Sequence, residues 1–139
     1  MRDLVERIRE ALEPFDYVVQ RNWEELPDLN PEHPDLDLFV SSEDYEEALL
    51  VTKEFPWIDL RHPGDGYYPQ DIEDILLLSV DTYRGWKIPN SFAHFVSLYY
   101  HNAVHKKDNP YGDKLRRIFL EVYPPVEPED KGVGYYGNP

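Results

Sequence analysis

Two hydrophobic periods alternate along this chain, and the points where one gives way to the other mark its elements. Leu4, Val5, Ile8 and Leu12 fall on one helical stripe, so residues 2 to about 13 should form a helix that Pro14 stops. FDYVVQR (15–21) reads as a largely buried strand. NWEELPDLNPEHP (22–34), with its three prolines and two asparagines, should be a loop. DLDLFV follows as a short strand. Ser41 and Ser42 then offer N-caps, with Asp44 and Glu46 favouring the first turn of a helix to about Phe55, where Pro56 ends it. WIDLR (57–61) is a third strand and HPGDGYYP (62–69) a turn-rich loop. QDIEDILLLSV is a helix with Ile72, Ile75, Leu76 and also Leu78 turned inward. DTYRGWKIPN reads as either irregular or two-stranded. SFAHFVSLYYHNAVHKK is an aromatic helix, and residues 111 to about 122 form another.

This order predicts an α+β fold. The front half makes a small mixed β-sheet with helices packed on one side, and a helical C-terminal part packs on or beside that sheet. Residues 1–122 are expected to be a single domain. The stretch 123–139, rich in Pro and Gly, is expected to be an irregular tail.

Composition narrows the function classes. The formal charge of −14 argues against binding along a nucleic acid backbone. It does not oppose a phosphate ligand that brings a divalent cation. No apolar run approaches the roughly 20 residues of a membrane span, and the charged, amphipathic N-terminus is unlike a signal peptide. The absence of cysteine excludes thiolate chemistry and fits a reducing cytosol, so a cytoplasmic location is expected.

The distinctive chemistry is acidic. Residues i and i+2 of a strand share a face, so Asp35 and Asp37 should project together while Leu36 and Leu38 enter the core. Asp59, between Ile58 and Leu60, repeats the pattern. A crossover helix between the two strands would lay them side by side and bring three carboxylates to one patch. Such a cluster repels itself unless a cation joins it. Mg²⁺ takes one or two carboxylates plus substrate phosphates, and paired metals clamp both oxygens of a phosphoryl transfer. The plainer reading is a half-exposed strand with solvent-facing acids.

Taken in order, YVVQRNWEELP, PDLDLFV, WIDLRHPGDGYYP and SLYYHNAVHKKDNPYGDKL resemble the nucleotidyltransferase superfamily with the DNA polymerase beta-like fold. More narrowly, they are similar to small nucleotidyltransferase-like proteins found beside glycan and capsule biosynthesis genes. The resemblance spans roughly residues 15 to 120. It implies a transferase that moves a nucleotidyl or phosphoryl group from a nucleotide to a small hydroxylated acceptor, a sugar or glycan precursor. It implies Mg²⁺ or Mn²⁺ on Asp35 and Asp37, with Asp59 as a third ligand that helps the attacking hydroxyl lose its proton. The superfamily's Gly-Ser element, which touches the nucleotide phosphates, has no counterpart before Asp35. Gln20, Arg21 and Asn22 stand there, and Arg21 is a candidate phosphate anchor in its place. This departure keeps a second reading open: a non-catalytic binding module that retains the fold. The chain is also short for an enzyme that binds its own acceptor, so a partner protein is a candidate for that half.

Further candidates surround this set. Arg61 shares the face of Asp59 and could neutralise phosphate or simply pair with the acids. Asp65 and Tyr67 belong to an Asp-Gly-Tyr-Tyr turn. There Gly66 suggests positive φ, and a tyrosine could stack on a base or pack under the loop. His101 and His105, at i and i+4, have the spacing of zinc ligands. With Asn102 between them and no obvious third ligand, inward packing of His101 is the leading reading. His105 and Lys106 sit near the helix end, where positive charge suits the dipole; the resemblance, in whose family this helix faces the cleft, implies a contact with phosphate for them. Lys114, Arg116 and Arg117 form a small basic cluster, with surface pairing the plainer explanation.

Overall fold

A computed structural model describes residues 1–106 and 108–123; the expected tail, from 124 on, lies outside the described residues. The fold is mixed α+β. Helix α1 (Arg2–Leu12) is followed by strands β1 (Tyr17–Val19) and β2 (Leu36–Val40), then helix α2 (Tyr45–Thr52) and strand β3 (Ile58–Arg61). Helix α3 (Gln70–Leu78), strands β4 (Val80–Tyr83) and β5 (Trp86–Pro89), and helices α4 (Ser91–Tyr100) and α5 (Gly112–Val122) complete it. A short 3-10 turn (Trp23–Glu25) interrupts the loop before β2, and a π turn (His101–His105) extends α4.

The main sheet has the order β1-β2-β3, with β1 antiparallel and β3 parallel to β2. Parallel neighbours need a crossover, and α2 supplies it. Alternation then sorts the side chains. Tyr17, Val19, Leu36, Leu38, Val40 and Ile58 join one core, which Val5, Ile8 and Leu12 of α1 and Ala48 of α2 close. Val18 and Phe39 point the other way and meet Tyr68, Ile72 and Leu76. The front-half helices thus cover one face and the helical back half lies on the other.

Residues 80–89 resolve the open alternative in favour of a hairpin. Arg84 (φ 51°) and Gly85 (φ 86°) form its two-residue turn, both with the positive φ that matches strand twist. The hairpin sits beside β1 without extending the sheet. Trp86 is fully buried there, and Lys87 Nζ donates to the Glu13 and Phe15 carbonyls at 2.9 and 2.8 Å.

Two local expectations change. Helix α2 begins at Tyr45 with Asp44 at the N-cap, so Ser41 and Ser42 do not cap it. The Asp44 carboxylate accepts from the Asp16 amide at 2.8 Å, tying α2 to the α1–β1 connection. Leu78 is 84% exposed rather than inward. It lies about 200° around the helix from Leu76, off the buried stripe.

Because Leu38 is fully buried between the front-half helices and the sheet, Leu38→Ala should lower unfolding stability by about 2–5 kcal/mol. Leu50→Ala, at a position 64% exposed, should change it by less than about 0.5 kcal/mol. Urea denaturation of both variants checks the assignment of faces.

Candidate functional site

Register decides which acids meet. In the parallel ladder Leu36 pairs with Ile58, Asp37 with Asp59, and Phe39 with Arg61. Burying the four flanking leucines and isoleucines on the first face forces Asp37 and Asp59 together on the second. Asp35 lies one residue before β2 and is exposed. It opens onto a shallow cavity of about 260 Å³ that Asn22, Glu24 and His33 also line.

Each strand acid has an arginine beside it, and the two pairs differ in kind. Arg21 Nη1 donates to Asp37 Oδ2 at 3.1 Å, with side chains only 6% and 12% exposed. Gln20 and Tyr68 complete this pair. Arg21 Nη2 donates to Gln20 Oε1 and to Tyr68 Oη, the Tyr68 hydroxyl donates to Gln20 Oε1 at 2.7 Å, and Gln20 Nε2 donates to the Leu38 carbonyl. A buried guanidinium is tolerated only when its hydrogen bonds are met this way. Arg61, by contrast, faces a half-exposed Asp59 at 3.4 Å. The contact lacks hydrogen-bond alignment, and Arg61 Nε remains a buried donor without an acceptor.

Asp37 senses its acidic neighbours. Burial raises the Asp37 carboxyl above its ordinary value. Arg21 pulls it back, and the charges of Asp35 and Asp59 push it further up. The three acids therefore form one electrostatic patch.

The 62–69 loop frames the patch. Asp65 accepts from the Tyr67 amide at 2.9 Å and the His62 amide at 3.4 Å, and Gly66 takes φ 88°. The loop thus employs the Asp65 carboxylate, which also lies 3.8 Å from Arg61. Glu73 of α3 accepts from the Gly64 amide. Tyr68 turns down into the second core, as the packing alternative had it. Tyr67 lies over the patch as the middle of a stack. The Arg61 guanidinium is 4.3 Å from its ring centre and the near-parallel His105 ring 4.1 Å. With two groups already this close to the ring centre, a base stacking on Tyr67 would have to compete with them. Its hydroxyl bonds to His101 Nδ1, and His105 Nε2 contacts the Tyr67 carbonyl. His101 is buried beside Tyr67 and Tyr111, and Lys106 is exposed. Among the basic cluster, Lys114 pairs with Glu24 at 2.9 Å.

Among the described residues no three His, Asp or Glu side chains gather tightly enough to form a metal cage by themselves. Carboxylate oxygens are the donor type a hard cation such as Mg²⁺ takes, one or two at a time, with water and ligand oxygens completing its shell. Arg21 occupies one Asp37 oxygen, and Asp35 is open to solvent. Sequence reasoning did not give Gln20 and Tyr68 their role as the bracket around Arg21. Their signal was a polar residue inside the FDYVVQR strand and a second tyrosine in the turn.

Removing one member of a buried ion pair strands the other. Arg21→Met should therefore destabilise the protein by about 3–5 kcal/mol in urea denaturation. It should also raise the Asp37 titration further, as followed by carboxyl carbon NMR.

His101 shares the pH signature with the buried His94, which is pushed down to about 3, so His101→Asn removes only part of it. Burial, with the charges of Arg21, Lys106 and His105, lowers it from 6.5 to about 4. A histidine depressed by folding stabilises the fold fully above its unfolded value and progressively less as pH falls through its folded one. Stability should decline from about pH 6.5 toward pH 4. The upper part of that decline should flatten in His101→Asn, measured by urea midpoints at each pH.

No family model matches the chain, and no curated protein or solved structure matches it either.

Proposed function

We propose that this chain is a metal-dependent nucleotidyltransferase, moving a nucleotidyl or phosphoryl group from a nucleotide to a small hydroxylated acceptor. The observation that carries this reading is the parallel register that sets Asp37 directly beside Asp59, with Arg21 and Arg61 on the same face. Phosphoryl transfer asks the protein mainly for position and charge compensation, and this patch is built of both.

Asp35 and Asp37 would hold Mg²⁺ or Mn²⁺, and the ion would supply Lewis-acid stabilisation of phosphate charge. The other roles fall to the chain itself. Arg61, with its unused Nε donor, takes a phosphate oxygen in place of its loose contact with Asp59. That exchange leaves Asp59, half exposed, to accept the acceptor hydroxyl's proton as its oxygen attacks phosphorus and the leaving group departs, pyrophosphate in nucleotidyl transfer or a nucleoside diphosphate in phosphoryl transfer. Arg21 stays in its buried bracket and stabilises Asp37 as a carboxylate. Tyr67 and His105 hold Arg61 from above.

A second reading, a binding module that keeps the fold without transfer, has one observation in its favour. Arg21 already compensates Asp37, so that acid needs no ion in order to fold.

Titration calorimetry with ATP, GTP, CTP and UTP separates the two. The enzyme reading expects at least one nucleotide to bind only with Mg²⁺ or Mn²⁺, and to bind about tenfold or more weakly in Asp35→Asn. Binding that ignores both the ion and Asp35 would leave the module reading standing.

A further inference from the structure

A second cavity lies away from the acid patch, between the 3-10 turn, α4 and α5. Its volume of about 430 Å³ is within the roughly 300–1,000 Å³ of small-molecule sites. Trp23 and Ile118 give it apolar wall, while Glu24, Lys114, Arg117 and Glu121 give it a polar rim. Two cations and two carboxylates cancel, so the rim carries no formal net charge on a protein at −14. Lys114 and Glu24 are already paired at 2.9 Å.

His94 of α4 also lines this cavity. It is 5% exposed, its ring lies 4.1 Å from that of Trp23, and its Nε2 is a buried nitrogen with no hydrogen-bond partner. An unmet buried polar atom costs stability unless something satisfies it. Burial, with the charges of Lys114 and Arg21, pushes this imidazole down to about 3, so at neutral pH it is uncharged. An uncharged ring nitrogen donates or accepts according to its tautomer. A hydroxyl serves either case, because it does both.

These features select one ligand chemistry. A neutral rim gives an anion no surplus of positive charge. A purely apolar ligand would leave Nε2 unmet and make no use of the polar rim. A ring with a carbon–hydrogen face and several hydroxyls meets the wall, the carboxylates, the cations and the imidazole together. We propose that this cavity binds a small, uncharged, polyhydroxylated molecule of the monosaccharide class, with one hydroxyl on His94 Nε2 and others on Glu121 and Arg117. This goes beyond the reading of the acid patch and stands without it.

The test uses the whole chain with neither metal nor nucleotide, so its failure says nothing about the acid patch. The probes are methyl α-glucoside, methyl β-galactoside and N-acetylglucosamine, with inorganic phosphate as the charged comparison. The readout is the Trp23 indole N–H resonance in ¹⁵N correlation spectra. At least one sugar should shift that resonance saturably, and phosphate should not. His94→Phe keeps the ring volume and removes the nitrogens, and should weaken binding about tenfold, the loss of one good hydrogen bond. Arg117→Ala with Glu121→Ala changes only exposed positions, preserves net charge and should weaken it at least as much; this pair decides the matter if His94→Phe does not fold. The proposal is overturned if no sugar shifts the resonance, if phosphate shifts it as strongly, or if folded variants bind as the parent does.

Discussion

The parallel pairing of β2 with β3 is the constraint on which the rest depends. Leu36, Leu38, Ile58 and Leu60 must all turn toward the core closed by α1 and α2, and the side-chain period of a strand is two. Once those residues are buried in register, Asp37 and Asp59 have no choice but to stand side by side on the opposite face. A slip of one residue would relieve the carboxylates and put the apolar residues in their place, at a cost of several buried side chains. Hydrophobic burial therefore holds two like charges together, at a place where charge alone would keep them apart.

That arrangement explains the residues gathered around it. Asp37 is largely removed from water, so a mobile counter-ion in solvent compensates it poorly, and a buried guanidinium lies against it instead. The guanidinium must in turn be met, and Gln20 and Tyr68 meet it with oxygen while joining β1, β2 and the 62–69 loop. At Asp59 solvent already screens the charge, and the neighbouring arginine is loosely held, with a donor to spare. One pair is built for stability and the other is open to exchange. The Tyr67 stack keeps Arg61 over the patch, and the π turn that carries His105 lets α4 reach that stack. Such local widening of a helix is often found at functional positions.

Much of this was legible in the sequence because hydrophobic period and proline placement are local signals. The main-sheet strands and the helices fell close to where the pattern put them, and the acid–apolar alternation of β2 and β3 foretold their shared face. What the sequence hid depends on partners distant along the chain. Leu78 looked like a continuation of an inward stripe, yet the helix turns it to solvent. The 80–89 hairpin was ambiguous because its turn is Arg-Gly, and an arginine at positive φ gives a weaker signal than asparagine would. Tyr67 and Tyr68 are chemically identical neighbours, and only the loop's path sends one into the core and the other over the patch. His94 drew no notice at all: one histidine inside an aromatic helix gives no hint that its nitrogen lies buried and unmet.

The segment 20–24 brings these strands together, and it is also where the resemblance to nucleotidyltransferases departs. A Gly-Ser turn grips phosphate with backbone amides, which requires that no side chain fill the space above them. Here the same stretch is filled. Gln20 and Arg21 are buried against Asp37, Asn22 takes φ 59°, Trp23 packs on His94, and Glu24 holds Lys114. Five consecutive residues are committed to the acid patch at one end and to the α4–α5 cavity at the other. The Gln20 amide is itself spent on the Asp37 carbonyl, at 2.8 Å. Among the side-chain donors at the patch, Arg61 Nε is the one left without an acceptor. On the proposed reading, phosphate would therefore be met by a guanidinium rather than by backbone amides, on the strand that also carries Asp59.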